Sequence, residues 1–314
     1  MTTERHYDPT NDLLFKFVFG KGKRKHITLQ FINDVMGLEN DKAFVDLYFK
    51  NSELPPEKQG DKLGRLDVFA ITNNGYKVDI EMQAIPHASM PQRTLFYWAH
   101  SYLQLDGLKS GKDYRGLHPT ITINIMRHTC FQYNKDKAHS TYKILEIDTN
   151  HCLTKDLEIH FLEIPKFKNK QIRELSPLEC RFAYYANRLN EPDKEALAMK
   201  NPTIGDAMEA SKKFIMDDEE YFAYLARESA IWDYNTDRGA ALDEGREEGL
   251  KIGLAEGHAK GHAEGRKEGL TEGRNEEREE VAKEMLRDNE PLEKIIKYSH
   301  LSESRIKELA EQIK

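Results

Sequence analysis

Residues 65–83 read RLDVFAITNNGYKVDIEMQ. Two runs rich in β-branched and apolar residues flank Asn73, Asn74 and Gly75, residue types that tolerate the positive φ of a tight turn, so the stretch predicts a β-hairpin. Side chains alternate between faces along a strand. In the second strand Val78, Ile80 and Met82 share an apolar face, and Asp79, Glu81 and Gln83 share the opposite one. In the first, Leu66, Val68 and Ala70 lie opposite Arg65, Asp67 and Phe69. Pairing across the hairpin brings Asp67 and Glu81 to one side of adjacent strands.

Two carboxylates held that close repel each other unless a proton or a cation intervenes. Oxygen ligands without His or Cys favour Mg²⁺, with Mn²⁺ as its substitute. A cation there can polarise a phosphoryl oxygen and lower the pKa of a bound water, which is a working arrangement for phosphodiester hydrolysis. Gln83 cannot take a proton at neutral pH, so it is expected to position water or phosphate through hydrogen bonds. On pattern alone, an amphipathic hairpin with a simply solvated polar face is the commoner explanation of the same residues.

The flanking segments extend the pattern into an α/β core with a mixed sheet. Residues 8–38 read as two helices, the first capped by Thr10 or Asn11 and broken by the glycines of GKGKRK. Strand-like runs cover 43–50, 65–72 and 76–83, then 119–126 and 157–164, and Pro91 opens a helix between the third and fourth. On that helix Arg93, Tyr97, His100 and Gln104 form one polar and aromatic stripe, with Arg93 suited to a phosphate and Tyr97 to stacking, although the wetter side of a core helix is the commoner explanation of such a stripe. In the first helix Asp12 and Lys16 are one turn apart, an ordinary ion-pair spacing that could also deliver Asp12 to a metal.

The net charge of −7 argues against a nucleic-acid partner until its location is considered. Residues 237–280 hold 13 acidic and 8 basic side chains, a net −5, so the rest of the chain is close to neutral. Cys130, Cys152 and Cys180 have no zinc-ligand spacing and read as reduced thiols of a cytoplasmic protein. No basic and apolar leader opens the sequence, and no apolar run approaches the roughly 20 residues a bilayer requires, so no membrane partner is expected.

From about 170 to 236 the pattern turns helical. Glycines then fall at 245, 249, 253, 257, 261, 265, 269 and 273, every fourth residue. Collagen needs a period of three. Helix formers lie between the glycines, yet each interior Gly costs about 1 kcal/mol relative to Ala, so close helix-to-helix contact is the natural compensation. Self-association through this helix is therefore expected, with a right-handed sense because the row drifts around the helix. Residues 281–314 read as short helices with the rhythm of a helix-turn-helix, but their 7 basic and 7 acidic side chains favour a packing cap over a DNA reader. The expected organisation is a core at 1–168, a helical extension at 169–236, the glycine-repeat helix at 237–280 and the cap at 281–314.

Several motifs occur in order: D-x-x-F-K-x-x-F-G at 12–20, GDKLGRLDV at 60–68, VDIEMQ at 78–83, RTLFYWAHSY from Arg93, PTITINI from Pro119 and LEIHFLEIPKF at 157–167. Together they resemble the Rpn family of recombination-promoting nucleases, also described as PD-(D/E)XK nuclease family transposases. The resemblance covers roughly residues 8–168 and extends to the glycine-repeat tail. It implies a restriction-endonuclease-like fold and Mg²⁺-dependent DNA cleavage linked to recombination or mobile elements. It also implies Asp67 and Glu81 as the two acids, with the Met82 carbonyl as a further metal ligand; Asp12, from its place on the first helix, is an additional candidate. Gln83 stands where the wider superfamily has Lys, and Lys77 or Arg65 are candidates for that lysine's work. Arg65, Arg93, Tyr97 and Lys16 are the expected substrate-binding residues. The competing reading is a DNA-binding or assembly protein that keeps the fold without the chemistry, and RNA remains an alternative substrate.

Overall fold

A computed structural model of the chain describes residues 5–50, 53–54, 64–103, 113–114, 117–168 and 170–313. Most of GDKLG at 60–64, and Gln104, lie outside them. Two compact units result, Met1–Asn235 and Thr236–Lys314.

In the first unit α1 (Asp12–Phe19) starts where the Asn11 side chain accepts hydrogen bonds from the N–H groups of Leu13 and Leu14. Helix α2 (Lys25–Met36) ends at Gly37, which adopts φ +64°. The strands are β1 (Leu47–Phe49), β2 (Glu53–Leu54), β3 (Gly64–Arg65), β4 (Val68–Thr72) and β5 (Lys77–Gln83). After α3 (Met90–Leu103) come β6 (Thr120–Met126), β7 (His139–Tyr142) and β8 (Leu157–Glu163). Six of them form one sheet in the order β1-β4-β5-β6-β8-β7. Strands β4 and β5 pair antiparallel, β5 with β6 and β6 with β8 pair parallel, and β7 closes the edge antiparallel to β8. Mixed pairing follows from the connections, because a tight turn joins β4 to β5 while the parallel β5–β6 pair needs the α3 crossover. The turn holds Gly75 at φ +80°, where a Cβ would also lie 2.8 Å from the His118 ring.

The alternation read from the sequence places the main core correctly. Val78, Ile80 and Met82 of β5 pack with Ile121, Ile123 and Ile125 of β6 against α1, α2 and the later helices α4 (Pro177–Ala186) and α6 (Pro202–Met216). Each such buried side chain contributes roughly 1.5–3 kcal/mol. Helix α5 (Glu191–Lys200) lies between α4 and α6 in sequence and adds Leu197 to the same core. Between α4 and α2, Arg181 and Asp34 form a buried ion pair at 2.6 Å, and Arg181 also donates to the Thr203 hydroxyl.

The opposite face of the sheet is covered rather than solvated. Helix α3 lies over it, donating from Trp98 Nε1 to the Thr120 carbonyl and bringing Thr94 to 3.3 Å from Asn124. Asp79, Glu81 and Gln83 are consequently 0%, 2% and 6% exposed, which removes the solvated-hairpin explanation of their polarity. Strand β7 has no counterpart among the sequence-predicted strands: its four residues, HSTY, are too few and too polar to stand out.

The long helix α7 (Asp218–Arg287) carries all eight repeat glycines, and a Cβ at any of them would meet nothing within 4 Å. In the second unit α8 (Leu292–Ser299) and α9 (Glu303–Ile313) gather Ile295, Ile306 and Leu309 around Ala282. Among the described residues no helix is long and apolar enough to cross a membrane.

Candidate active site

The hairpin does not run straight. A bend falls at Asp67, between β3 and β4, and it changes the face that precedes it. Leu66 packs with Phe69 against Tyr97 of α3, while Val68 and Ala70 enter the main core. The expected grouping of Leu66 with Val68 and Ala70 is therefore corrected. Strict alternation assumes an unbroken strand, and this one is interrupted by side-chain hydrogen bonds that take over from the ladder.

Those bonds are the centre of the site. The Asp67 N–H donates to Glu81 Oε1 at 3.1 Å, and the Met82 N–H donates to Asp67 Oδ2 at 2.8 Å. Each acid thus holds the opposite strand's backbone across the hairpin, Glu81 at Asp67 itself and Asp67 at Met82, the residue after Glu81. Gln83 donates from Nε2 to Glu81 Oε2 at 2.9 Å, so its amide fixes the Glu81 carboxylate, a role not foreseen from its place two residues along the strand. The Lys16 ammonium, brought by α1, stands 2.9 Å from Asp67 Oδ1. From α3, Arg93 brings its guanidinium to 4.0 Å from Glu81 Oε2 and lies over the Tyr97 ring at 5.1 Å. Both cations are about a third exposed, with side-chain exposures of 32% and 34%.

Not every expected residue joins this group. Asp12 lies close enough for its charge to push the Asp67 carboxyl up, but its Oδ1 accepts from Arg227 Nε of α7 at 2.7 Å. Lys77 sits at the other end of β5 from Gln83, buried, with its Nζ donating to the Tyr102 carbonyl, so it cannot stand in for the superfamily lysine. The Arg65 side chain lies outside the described structure. Met82 sends its side chain into the core and its N–H to Asp67, and its carbonyl belongs to the peptide leading to Gln83. His100 packs its ring on Phe96.

Sequence reasoning also missed two participants. Asp79 is fully buried, and neither of its carboxylate oxygens has a hydrogen-bond partner among the described residues. The alternation V-D-I-E-M-Q already placed it on the Glu81 face, so the signal was present. Arg227 had no such signal, since 215 positions separate it from Asp12.

Burial and mutual repulsion shape the acids. Desolvation, then the Asp67 charge, pushes Glu81 well above the usual carboxylate range, and Asp79 rises for the same two reasons. Asp67 is raised by desolvation as well, with Lys16 opposing the shift.

A family model described as PD-(D/E)XK nuclease family transposase matches residues 9–240. The chain belongs to this family. No curated protein and no solved structure matches it.

PD-(D/E)XK nucleases as a class use divalent metals. The acidic group of this family member fits such an ion chemically. Its donors are hard oxygens, and its crowded carboxyl groups, the unpartnered Asp79 among them, resist ionising together, a repulsion that a cation relieves. Lys16 meanwhile sets a positive charge against Asp67. Among the described residues no three His, Cys, Asp or Glu side chains are arranged around one point, so a full protein cage is absent.

Proposed function

We propose that this PD-(D/E)XK family member is a Mg²⁺-dependent DNA endonuclease, with Mn²⁺ able to substitute, that hydrolyses phosphodiester bonds in the cytoplasm in connection with recombination or mobile elements. The observation that carries the reading is the meeting of Asp67 and Glu81 at the hairpin bend, with Lys16 and Arg93 beside them.

Asp67, Glu81 and the Met82 carbonyl would hold the metal. Bound there, the ion supplies Lewis-acid polarisation of the phosphoryl group and neutralises part of its charge. Gln83 keeps the Glu81 carboxylate in a fixed orientation. Arg93 presents a guanidinium suited to two phosphate oxygens at once, steadied by the Tyr97 face. Lys16 offers a compact charge that can leave Asp67 for a phosphate oxygen as negative charge grows in the transition state. Arg227 holds Asp12 and so sets the electrostatic background of Asp67. Arg65 completes the proposed substrate contacts.

Supercoiled plasmid incubated with the purified chain should be nicked or linearised with Mg²⁺ or Mn²⁺ and left intact with EDTA. Lys16→Met should slow the cleavage by roughly 10²-fold, as expected for loss of one charge-stabilising donor. DNA binding without cleavage under every divalent ion would instead identify a binding protein that keeps the fold. Preference for a single-stranded RNA of equal length would move the substrate class.

The glycine row supports a further part of the same reading, self-association through α7. Nothing in the chain's own described structure uses the eight glycines, although each weakens an isolated helix. Cutting both strands of a duplex takes two active sites, which a pair of chains supplies.

A further inference from the structure

Within the first unit the opening turns of α7 are fastened to the start of α1. The Tyr224 hydroxyl accepts from the Asp8 N–H at 2.9 Å, and Glu228 Oε1 accepts from Asn11 Nδ2, also at 2.9 Å. Arg127, just past β6, stands 2.8 Å from Asp8 and 3.4 Å from Glu228. Asn11 caps α1, so these bonds tie α7 to the helix that carries Lys16 into the site. Arg227, beside the buried Glu228, is held differently. Its Nε donates to Asp12 Oδ1 at 2.7 Å, and its side chain is 39% exposed. Among the described residues its two terminal amines have no hydrogen-bond partner.

Asp12 and Lys16 share one face of α1, a helical turn apart. Lys16 meets Asp67 at the bend, so Arg227 stands about one turn further along the same face. Its guanidinium is close enough to the acids to respond to them: the Asp12 hydrogen bond foremost, with the Asp67 charge contributing, raises its pKa.

A phosphodiester approaching Asp67, Asp79 and Glu81 meets a negative centre, so its binding depends on cations at the rim. Lys16 and Arg93 supply two of them at the acids themselves. Arg127 is engaged by two carboxylates, whereas Arg227 keeps one edge of its guanidinium open to solvent. That edge matches two phosphate oxygens. Because Nε is already tied to Asp12, the group is oriented before DNA arrives, and little side-chain freedom remains to be lost.

We propose that Arg227 binds a backbone phosphate of duplex DNA, adjacent to the scissile one. The inference rests on the nuclease reading and deepens it, since it places part of the substrate interface on the helix that carries the glycine row. One turn of α1 between Lys16 and Arg227 is comparable with the step between neighbouring phosphates of a strand. Such a contact carries no sequence information and fixes the register of the strand across the acids.

The test measures binding of the full chain to a short DNA duplex by fluorescence anisotropy over a series of NaCl concentrations. Glu81→Gln is present throughout and EDTA replaces the divalent ion, so no strand is cut. Arg227→Gln alone would leave the Asp12 charge uncompensated, so the comparison is between Asp12→Asn and Asp12→Asn with Arg227→Gln. The two amides can keep the hydrogen bond between α1 and α7 without a charge on either side. Adding Arg227→Gln should weaken binding on the order of 10-fold near 0.1 M salt. It should also shrink the slope of log K against log [NaCl] by about 0.9, the share of one phosphate. Arg227→Lys in the same background should restore the slope. An unchanged slope, with or without a loss of affinity, would overturn the proposal and leave Arg227 as the neutralising partner of Asp12. Plasmid cleavage by the wild-type chain is read in parallel. Cleavage together with an unchanged slope overturns this inference alone, whereas no cleavage and no DNA binding by any chain overturns the nuclease reading and this inference with it.

Discussion

Glu81→Gln is expected to abolish plasmid cleavage, by about 10³-fold or more, and at the same time to make the metal-free protein more stable. The two effects share one cause. Glu81 is almost wholly buried beside Asp67 and Asp79, and among the described residues the cation facing it is a distant Arg93 at 4.0 Å. Burying carboxylates together without a cation destabilises the folded state, and a neutral amide of the same shape relieves that. The substitution also preserves local bonding. The new carbonyl oxygen can accept from the Asp67 N–H, and Gln83 can turn its amide to accept from the new NH₂. What is lost is the negative charge that would hold the metal.

The same shifts set the pH dependence. The Asp67, Asp79 and Glu81 carboxyls all stand above their ordinary values when folded. Between the unfolded and folded values the folded chain holds protons that the unfolded chain has released, so stability falls as pH rises through that window. In EDTA the wild-type melting temperature should therefore fall relative to that of Glu81→Gln as pH climbs from about 4 upward, since the other carboxyls are common to both chains. Excess Mg²⁺ should reduce that fall. A gain of about 1 kcal/mol corresponds to roughly 2–4 °C in a domain of this size, well within the reach of calorimetry. A Glu81→Gln protein that melts lower than wild type in EDTA at neutral pH would show that the carboxylate is not under repulsion there.

Much of this was legible in one stretch of 19 residues because two signals there are strictly local. Asn73, Asn74 and Gly75 fix the turn, and period-two alternation then fixes which side chains are neighbours across it. That register brings Asp67 and Glu81 within reach, and the hydrogen bonds at the bend complete their meeting. Local reading failed where the determining contact was distant or where regularity broke. The bend at Asp67 turns Leu66 toward Tyr97, and no propensity marks a bend made by side-chain hydrogen bonds. The burial of the polar face depends on α3 lying across it, which a hairpin pattern cannot express. Lys77, one of the two candidates for the superfamily lysine's work, lies six positions along β5 from Gln83, at the strand's other end. Strand β7 is recognisable only through its partner β8.

The burial of an acidic face under a helix also explains why the cations of the site come from other elements. Lys16 from α1 and Arg93 from α3 are only partly buried and can exchange a carboxylate for a phosphate without exposing the core. A lysine within β5 would have to be desolvated beside the acids. The hairpin thus supplies the fixed negative centre, and the helices supply adjustable positive charge around it.

Replacing Gly249, Gly253, Gly257 and Gly261 by Ala together is expected to dissociate the assembled chain while making its long helix more stable. On propensity alone each change favours the helix by about 1 kcal/mol, or about 4 kcal/mol for the set. Within the chain the added methyl groups meet nothing, so no intramolecular clash offsets the gain. A charged spacer would simply become more helical and behave as before. A groove that receives a neighbouring backbone would be filled, and the partner could no longer approach. The flanks of the glycine row differ in sign on balance: Glu248, Glu256, Glu264, Glu268 and Glu272, interrupted by Lys260, run along one side, and Arg246, Arg266 and Arg274 along the other. A two-fold axis parallel to the helices sets unlike flanks against each other, whereas an antiparallel pair opposes like ones, so the expected assembly is parallel. Light scattering after gel filtration should give a multiple of 36.5 kDa for wild type and the monomer mass for the four-alanine variant. Circular dichroism should show the variant's helix melting higher. A wild-type chain that is monomeric at every concentration would remove the self-association reading, and an alanine variant that stays assembled would move the interface away from the glycine row.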